Sequence, residues 1–336
     1  MKIKINNGNL DKYKIYLTVI NAIENYLKNR KYLKIDLPVL SPALLPESYL
    51  EVFETEFKYL DKKEKLYLTP SPELFLKRLL VSGVGNCYYL GKSFRNSDPP
   101  SRLHGFEFTM LEFYKMGDDY MDIADEVLVL LQSIEKATNK RILNKNKKLK
   151  NKYLSLSRWD KMSVVQAFRR YAGIDDIELF DHNVFFKKAE EKGYRVKGFT
   201  YEDVWSQVYT QEVEPNLGMN GYPTLIYDYP KEFAALAKHN KDGKTAQRFE
   251  FYINGIELGD CYSELTDWKE QEKRFNIESK LIKKINKIHH PIDKGFIEAL
   301  KCGLKDCSGV AIGVERLAMV FADVDSIADL KLINII

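Results

Sequence analysis

Residues 94–114 read FRNSDPPSRLHGFEFTMLEFY. From Phe106 to Tyr114 aromatic and aliphatic residues alternate with polar ones. On an extended strand Glu107, Thr109, Leu111 and Phe113 face one way, and Phe108, Met110, Glu112 and Tyr114 the other, because successive side chains point to opposite faces. Each face therefore carries one carboxylate among apolar neighbours. A buried carboxylate is costly unless it meets a cation or hydrogen-bond donors. The segment is thus either an edge strand with one solvated face or a strand built around a charged ligand, and its pattern alone allows both. A second aromatic-rich run, 86–94, precedes it. Residues 96–103 between them hold two prolines, Asp and Ser, which marks a loop. Two strands joined in this way predict an antiparallel pair.

Working outward, Ser71-Pro72-Glu73 reads as a helix start, with Ser71 as N-cap and Pro72 as first helical residue. That helix is predicted to run to about Ser82 and end at Gly83. Upstream, Tyr16, Val19, Ile20, Ile23 and Leu27 form a helical stripe within 13–30. A short strand over 32–37 stops at Pro38. Downstream, a helix is predicted over 118–137 and mainly helical structure over 154–215. Strands follow at 224–227, 247–252 and 256–258. A long charged helix is expected over 266–288, then a strand over 310–314 and a last helix from Glu315. There are no repeats. The pattern predicts an α+β fold: an antiparallel β-sheet flanked by helices, in a single domain over 1–336.

Bulk composition bounds the function. The 336 residues are 45% hydrophobic and 30% charged, enough for a sizeable core and too apolar for a disordered chain. Residues 1–16 lack the apolar run of a signal peptide, so a cytoplasmic protein is expected. Net charge is +4, from 52 basic and 48 acidic residues, too balanced to argue for nucleic acid. Cys87, Cys261, Cys302 and Cys307 show no metal spacing, and His289-His290 precedes a proline in an expected loop. Residues 136–152 hold eight Lys/Arg and no acid. A solvated basic loop or hairpin over 136–153 is the favoured reading, and a docking patch for an acidic partner the other.

Familiar nucleotide motifs are absent. Gly91-Lys92-Ser93 invites a P-loop reading, but the glycine required five residues earlier is Asn86. Two further segments carry chemistry. Glu250, Glu257 and Glu264 recur at seven-residue intervals, with Gly255, Gly259 and Tyr262 between them. Acids on neighbouring strands can converge on Mg²⁺, which prefers carboxylate and phosphate oxygen. Ordinary surface charge has the same spacing. In Cys307-Ser308-Gly309-Val310-Ala311-Ile312-Gly313-Val314-Glu315-Arg316, small residues alternate with β-branched ones before an Arg opens a helix. Such a strand lets a flat ligand approach the backbone, and the Arg can stack on a base or clamp phosphate. A tightly packed strand–helix junction would look alike.

Together these segments resemble the three motifs of class II aminoacyl-tRNA synthetases. Pro38 resembles motif 1, which dimerises that family. Residues 94–114 resemble motif 2, and Gly309 to Arg316 resemble motif 3. Ser71-Pro72-Glu73-Leu74-Phe75-Leu76-Lys77-Arg78-Leu79, Glu107-Phe108-Thr109-Met110-Leu111-Glu112 and Glu264-Leu265-Thr266-Asp267 resemble the lysyl-tRNA synthetase branch. Within it, Val213-Glu214-Pro215-Asn216, Tyr227-Asp228-Tyr229-Pro230 and Ala311 resemble the elongation factor P–lysine ligases. So does the position of motif 1, too near Met1 for an anticodon-reading OB-fold. That group is understood to use (R)-β-lysine and to attach it to a lysine side chain of elongation factor P.

The resemblance implies an ATP- and Mg²⁺-dependent ligase in two steps, adenylate formation and then transfer. It implies that Arg95 holds the α-phosphate and substrate carboxylate, and that Arg316 holds the γ-phosphate end near adenine. These two are the expected catalytic residues. Asn96, Ser97, Asp98, Gly105, Glu257, Leu258 and Gly313 complete the implied ATP contacts, and Glu250 and Glu257 would carry Mg²⁺. Glu73, with Ser71 and Pro72, would bind the backbone-side amine. Glu264 and Tyr114 would bind the distal ammonium beside Ala311. A cytoplasmic homodimer with elongation factor P as partner is expected, and tRNA is not. Two other readings stand beside it: a compact lysyl-tRNA synthetase paralogue charging a tRNA or carrier protein, and a catalytically idle synthetase-like regulator. The sequence departs from the family at Ser97 and Asp98, where Arg-Asn-Glu is usual. It departs again in a loop one residue longer with Pro99-Pro100, and at His104-Gly105-Phe106-Glu107, where His-Asn-Pro-Glu is usual. These changes bear on adenine recognition.

Overall fold

The computed structural model describes residues 1–96, 101–149, 152–285 and 287–335. Two compact units divide the chain: Met1–Asp119 with Glu264–Ile336, and Tyr120–Ser263.

In the first unit, strands Leu33–Lys34, Cys87–Phe94, Glu107–Met116 and Cys307–Gly313 lie side by side in that order. The first pair is parallel and the other two are antiparallel. The predicted strand over 32–37 shortens to two residues, consistent with Pro38 lacking a ladder donor. The two strands flanking the motif 2 loop pair as expected, Phe94 opposite Glu107 and Cys87 opposite Tyr114. Gly91-Lys92-Ser93 sits inside a strand, where no phosphate-cradling loop can form.

One face of this sheet is a core. Leu111 and Phe113 lie opposite Ile312 and Val310, all buried. Helices Leu10–Asn29 and Val314–Ala322 pack together in this unit. The helical stripe is confirmed: Val19, Ile23 and Leu27 are fully buried, each worth about 1.5–3 kcal/mol of transfer free energy. A buried relay ties that helix pair to the sheet. Tyr16 Oη donates to Thr109 Oγ1 (2.9 Å), which donates to Glu315 Oε1 (3.0 Å). Glu315 also accepts the Thr109 backbone N–H (2.9 Å).

The helix predicted after Ser71 spans Glu73–Val81, with Gly83 at φ +86° just beyond it, as the C-terminal stop requires. The charged helix begins at Trp268, capped by the Asp267 carboxylate, and ends at Lys284. Three elements carried no usable sequence signal. They are the hairpin Glu54–Tyr59/Lys62–Leu68, the helix Lys294–Lys301, and the pairing of Ile3–Ile5 with Ile333–Ile335.

In the second unit the strand order is Asp160–Ser163, Thr224–Pro230, Thr245–Ile253, Ile256–Ser263. The first pair is parallel and the rest antiparallel. Each unit's sheet thus carries one parallel edge strand, an addition to the antiparallel arrangement expected. Helices between 164 and 213 bury an aromatic cluster in which Trp205 stacks on Tyr209 at 4.7 Å. The basic segment is ordered from within. Asn254 accepts from the Lys145 N–H and donates to Leu143 O, and Asn146 donates to Met219 O. Buried Ile142 and Asn144 alternate with exposed Arg141 and Lys145. Among the described residues no helix is long and apolar enough to cross a membrane.

Candidate active site

The strand Glu107–Met116 presents Met110, Glu112 and Tyr114 on one face. Their partners on the strand Cys307–Gly313 are Gly313, Ala311 and Gly309. The small residues that alternate in sequence therefore form a floor opposite the polar side chains. At Gly309 the reason is specific. A Cβ there would lie 2.7 Å from Tyr114 Cδ1 and 2.8 Å from Glu264 Oε1. The sequence suggested that glycine admits a flat ligand, but at Gly309 it admits these two side chains. At Gly313 the nearest atoms a Cβ would meet are those of the Arg316 side chain, at 3.8–3.9 Å, which is ordinary contact.

Four charged side chains are buried together on this face. Glu112 accepts from Tyr114 Oη (2.7 Å) and Ser71 Oγ (3.1 Å). Ser71 also accepts the Glu73 backbone N–H (3.1 Å), which fixes the helix start against the sheet. Glu73 and Glu264 both pair with the ammonium of Lys77, one turn along the helix from Glu73. Glu264 is held in place by its backbone N–H donating to Cys307 O (3.0 Å). Glu264 is 0% exposed, Lys77 2% and Glu112 3%. Burial, with the Glu73 carboxylate adding to it, holds the Glu112 carboxyl well above its ordinary range against the Tyr114 and Ser71 hydroxyls. Burial alone would lower the Lys77 ammonium. Glu264 and Glu73 outweigh it and hold Lys77 above its usual value.

Ser71, Glu73, Tyr114 and Glu264 are therefore brought together as predicted, with Pro72 leading into the helix and Ala311 opposite Glu112. Lys77 and Glu112 were not assigned to this site from sequence. A signal for Lys77 was present, since Glu73 and Lys77 are spaced i, i+4 among Leu74, Leu76 and Leu80, all buried.

Arg95 begins the loop after strand Cys87–Phe94, its backbone N–H donating to Phe106 O (3.0 Å). Its guanidinium lies 5.3 Å from the Phe108 ring centre, and its buried Nε has no hydrogen-bond partner among the described residues. A cation so placed fits a phosphate or carboxylate. Asn96 spends its amide donor on Val52 O (3.2 Å). Ser97 and Asp98 lie outside the described residues. Arg316 is held by Leu103 O (3.1 Å) and by His104 Nε2 (2.7 Å), and the opposite ring nitrogen of His104 bonds Ser101 Oγ (3.1 Å). The loop carrying Gly105 thus sets the direction of Arg316.

In the second unit, the hairpin of Thr245–Ile253 and Ile256–Ser263 carries the other acids. Glu250 faces Asp260, and Tyr252 faces Glu257. A bulge at Leu258, whose side chain is buried, shifts the register by one residue. It turns Glu257 to the same face as Glu250 and Asp260, which strict alternation would not do. Glu250 accepts from Tyr252 Oη (2.5 Å) and Arg248 Nη2 (2.9 Å). Tyr252 in turn accepts from Tyr209 (3.0 Å), which bonds Tyr229 (2.9 Å). Burial pushes the Glu250 carboxyl up to about 7, with Arg248 opposing it and Glu257 adding to it. Among the described residues no three His, Cys, Asp or Glu side chains form a ready-made metal cage. Two carboxylates on one face are the donor set through which Mg²⁺ binds when phosphates and water complete its shell.

Cys87, Cys261 and Cys307 are buried and Cys302 is exposed, all as free thiols. His290 is buried edge-on against Tyr67. Cavities of about 350 Å³ beside Tyr32 and Tyr88, and about 270 Å³ beside Gln132 and Arg141, contain none of the predicted site residues.

Comparison with known proteins shows the family. The family model of the tRNA synthetases class II (D, K and N) matches residues 2–333. The elongation factor P–(R)-β-lysine ligase of Yersinia enterocolitica (serotype O:8, biotype 1B) is 35% identical over 317 residues, which is 93% of this chain and 91% of that protein. With motifs, pocket and family model in agreement, the chain belongs to the class II tRNA synthetases of the D, K and N group.

Proposed function

We propose that the protein is an ATP-dependent ligase that activates a lysine-type amino acid, (R)-β-lysine in our reading, and transfers it to a lysine side chain of elongation factor P. The observation that carries this is the buried pocket of Glu73, Glu112 and Glu264 over a floor of Gly309 and Ala311. Desolvated ammonium groups need buried carboxylates and hydrogen-bond acceptors, and three buried acids gathered on one face supply them. The Yersinia relative, named as acting on elongation factor P with (R)-β-lysine, supports the choice of substrate and acceptor.

In the first step the amino-acid carboxylate attacks the α-phosphorus of ATP and pyrophosphate leaves. In the second, an acceptor amine attacks the adenylate carbonyl and AMP leaves. Arg95, stacked on Phe108 with an unspent donor, would orient the carboxylate and α-phosphate, and Arg316 the distal phosphates. Positioning and charge stabilisation carry most of such transfers. Glu250 and Glu257 are the residues that would hold Mg²⁺, which when bound neutralises phosphate charge. Ala311 and the resemblance to the protein-modifying group favour a protein acceptor over tRNA. A cytoplasmic homodimer formed through the segment at Pro38 belongs to the same reading.

The test is ATP–pyrophosphate exchange with α-lysine, (R)-β-lysine and ornithine, followed by transfer to elongation factor P or to tRNA. Exchange with (R)-β-lysine and labelling of elongation factor P are expected. No exchange with any amino acid would overturn the enzyme reading, and transfer to tRNA alone would overturn the acceptor.

A further inference from the structure

Lys77 is the buried group that the reaction outlined above does not use. It lies 2% exposed on helix Glu73–Val81 and pairs with Glu73 and Glu264 at once. Those are the two carboxylates assigned to the two ends of a diamino substrate. Glu112 is the third acid of the pocket. Lys77 thus bridges the two acids that would receive the ammonium groups of a diamino acid, on the same face as Glu112.

We propose that Lys77 is the charge-setting and positioning residue of the amino-acid pocket. It clamps Glu73 and Glu264 in the empty protein and offsets their charge, so that both acids stay ionised and in place to receive the two ammonium groups of a diamino acid. The proposal rests on the function proposed above. It adds that specificity for two ammonium groups is set by a cation inside the protein as well as by the acids that touch the substrate. Without Lys77, three acids share one desolvated space. The cluster then takes up a proton in place of the lost cation, and an arriving ammonium must displace it.

The sign of the effect follows from linkage. A folded cluster that binds a proton more tightly than the unfolded chain is most stable at low pH and loses that stability as pH rises. Lys77→Met should therefore show a thermal midpoint that falls between about pH 6 and pH 9, the direction set by losing a neighbouring opposite charge. The wild type, in which Glu112 alone carries a raised value, should fall less over the same range. Binding of α-lysine, followed by calorimetry without turnover, should become pH-dependent in Lys77→Met, with its midpoint raised by about one to three pH units. Lys77→Arg restores the charge and should recover the wild-type profile in part. Should Lys77→Met not fold, Lys77→Met/Glu73→Gln, which keeps the net charge, should fold and show a thermal profile parallel to wild type.

A pH profile in Lys77→Met parallel to wild type, with only weaker binding, would overturn the proposal and leave Lys77 as packing. Failure of the double variant to fold alongside the single one would do the same. Absence of lysine binding and of pyrophosphate exchange in the wild type would sink the functional reading instead. The ligand-free thermal profiles still decide the role of Lys77 in that case.

Discussion

Two clusters of buried carboxylate, one in each unit, are built on opposite principles. In the second unit Glu250 is surrounded by donors: Arg248 and Tyr252 take its oxygens, and Tyr209 and Tyr229 extend the chain of hydroxyls. In the first unit, three acids share Lys77 and two hydroxyls. The first arrangement is close to satisfied as it stands. The second gathers three carboxylates in one desolvated place, which is costly unless cations meet them, and the ammonium groups of a ligand are such cations. The contrast separates a supporting cluster, whose role in our reading is to hold a metal ion, from one that receives the amino acid.

Arg95 gives the sharpest test, because its buried Nε has no hydrogen-bond partner among the described residues. Arg95→Gln should reduce exchange by about 10²–10³-fold, the range for removing one donor aimed at developing charge. Stability should change by less than about 1 kcal/mol, since only the contact with Phe108 is weakened. Steady-state exchange and thermal unfolding measure the two. A large stability loss with intact exchange would make Arg95 a structural residue. Glu264→Gln comes next. Removing one carboxylate from a desolvated ammonium should cost about 100-fold in amino-acid affinity. ATP affinity, measured by nucleotide titration, should stay within about threefold. Equal losses in both would move Glu264 out of the amino-acid pocket.

Tyr252→Phe probes the supporting cluster. It removes a donor from Glu250 and the acceptor of Tyr209, and should lower stability by about 1–3 kcal/mol. Lysine affinity measured by calorimetry should be unchanged. If lysine binding instead falls as far as in Glu264→Gln, the distinction between the two clusters collapses.

How far the sequence reveals these clusters depends on the range of the information. Strands 86–94 and 106–115 were legible because their alternation and the proline-bearing loop are local. The helix after Ser71 was legible from its start and stop residues. The faces also followed, since alternation placed Glu112 and Tyr114 together. What alternation could not give was register. Only the pairing of Glu112 with Ala311 and Tyr114 with Gly309 shows why that strand alternates small residues. The Leu258 bulge is likewise invisible in a period-two pattern, although it decides which face Glu257 takes. Lys77 was hidden for a different reason. A lysine in an apolar helix reads as surface until its second acid, 187 positions away, is placed beside it. The hairpin Glu54–Tyr59/Lys62–Leu68 turns through Leu60 at φ +52° and not through Gly or Asn, so the usual turn signal is missing.

The smallest effect expected is also the one that reports most directly on the unspent charge of the receiving cluster. Burial and Glu73 raise the Glu112 carboxyl in the folded protein above its value in the unfolded chain. The folded state therefore binds that proton more tightly. The resulting stability is fully present below the unfolded carboxyl range, near pH 4.5, and is lost as pH rises through the raised value. Glu112→Gln removes this dependence while leaving an oxygen to accept from Tyr114. The variant should gain on wild type as pH increases from about 5 to about 8, read as a growing difference in thermal midpoint in its favour. Thermal unfolding of both proteins across that range measures it. If the wild type instead gains on Glu112→Gln as pH rises, Glu112 is ionised and paired in the empty pocket, and the receiving cluster is as saturated as the one around Glu250.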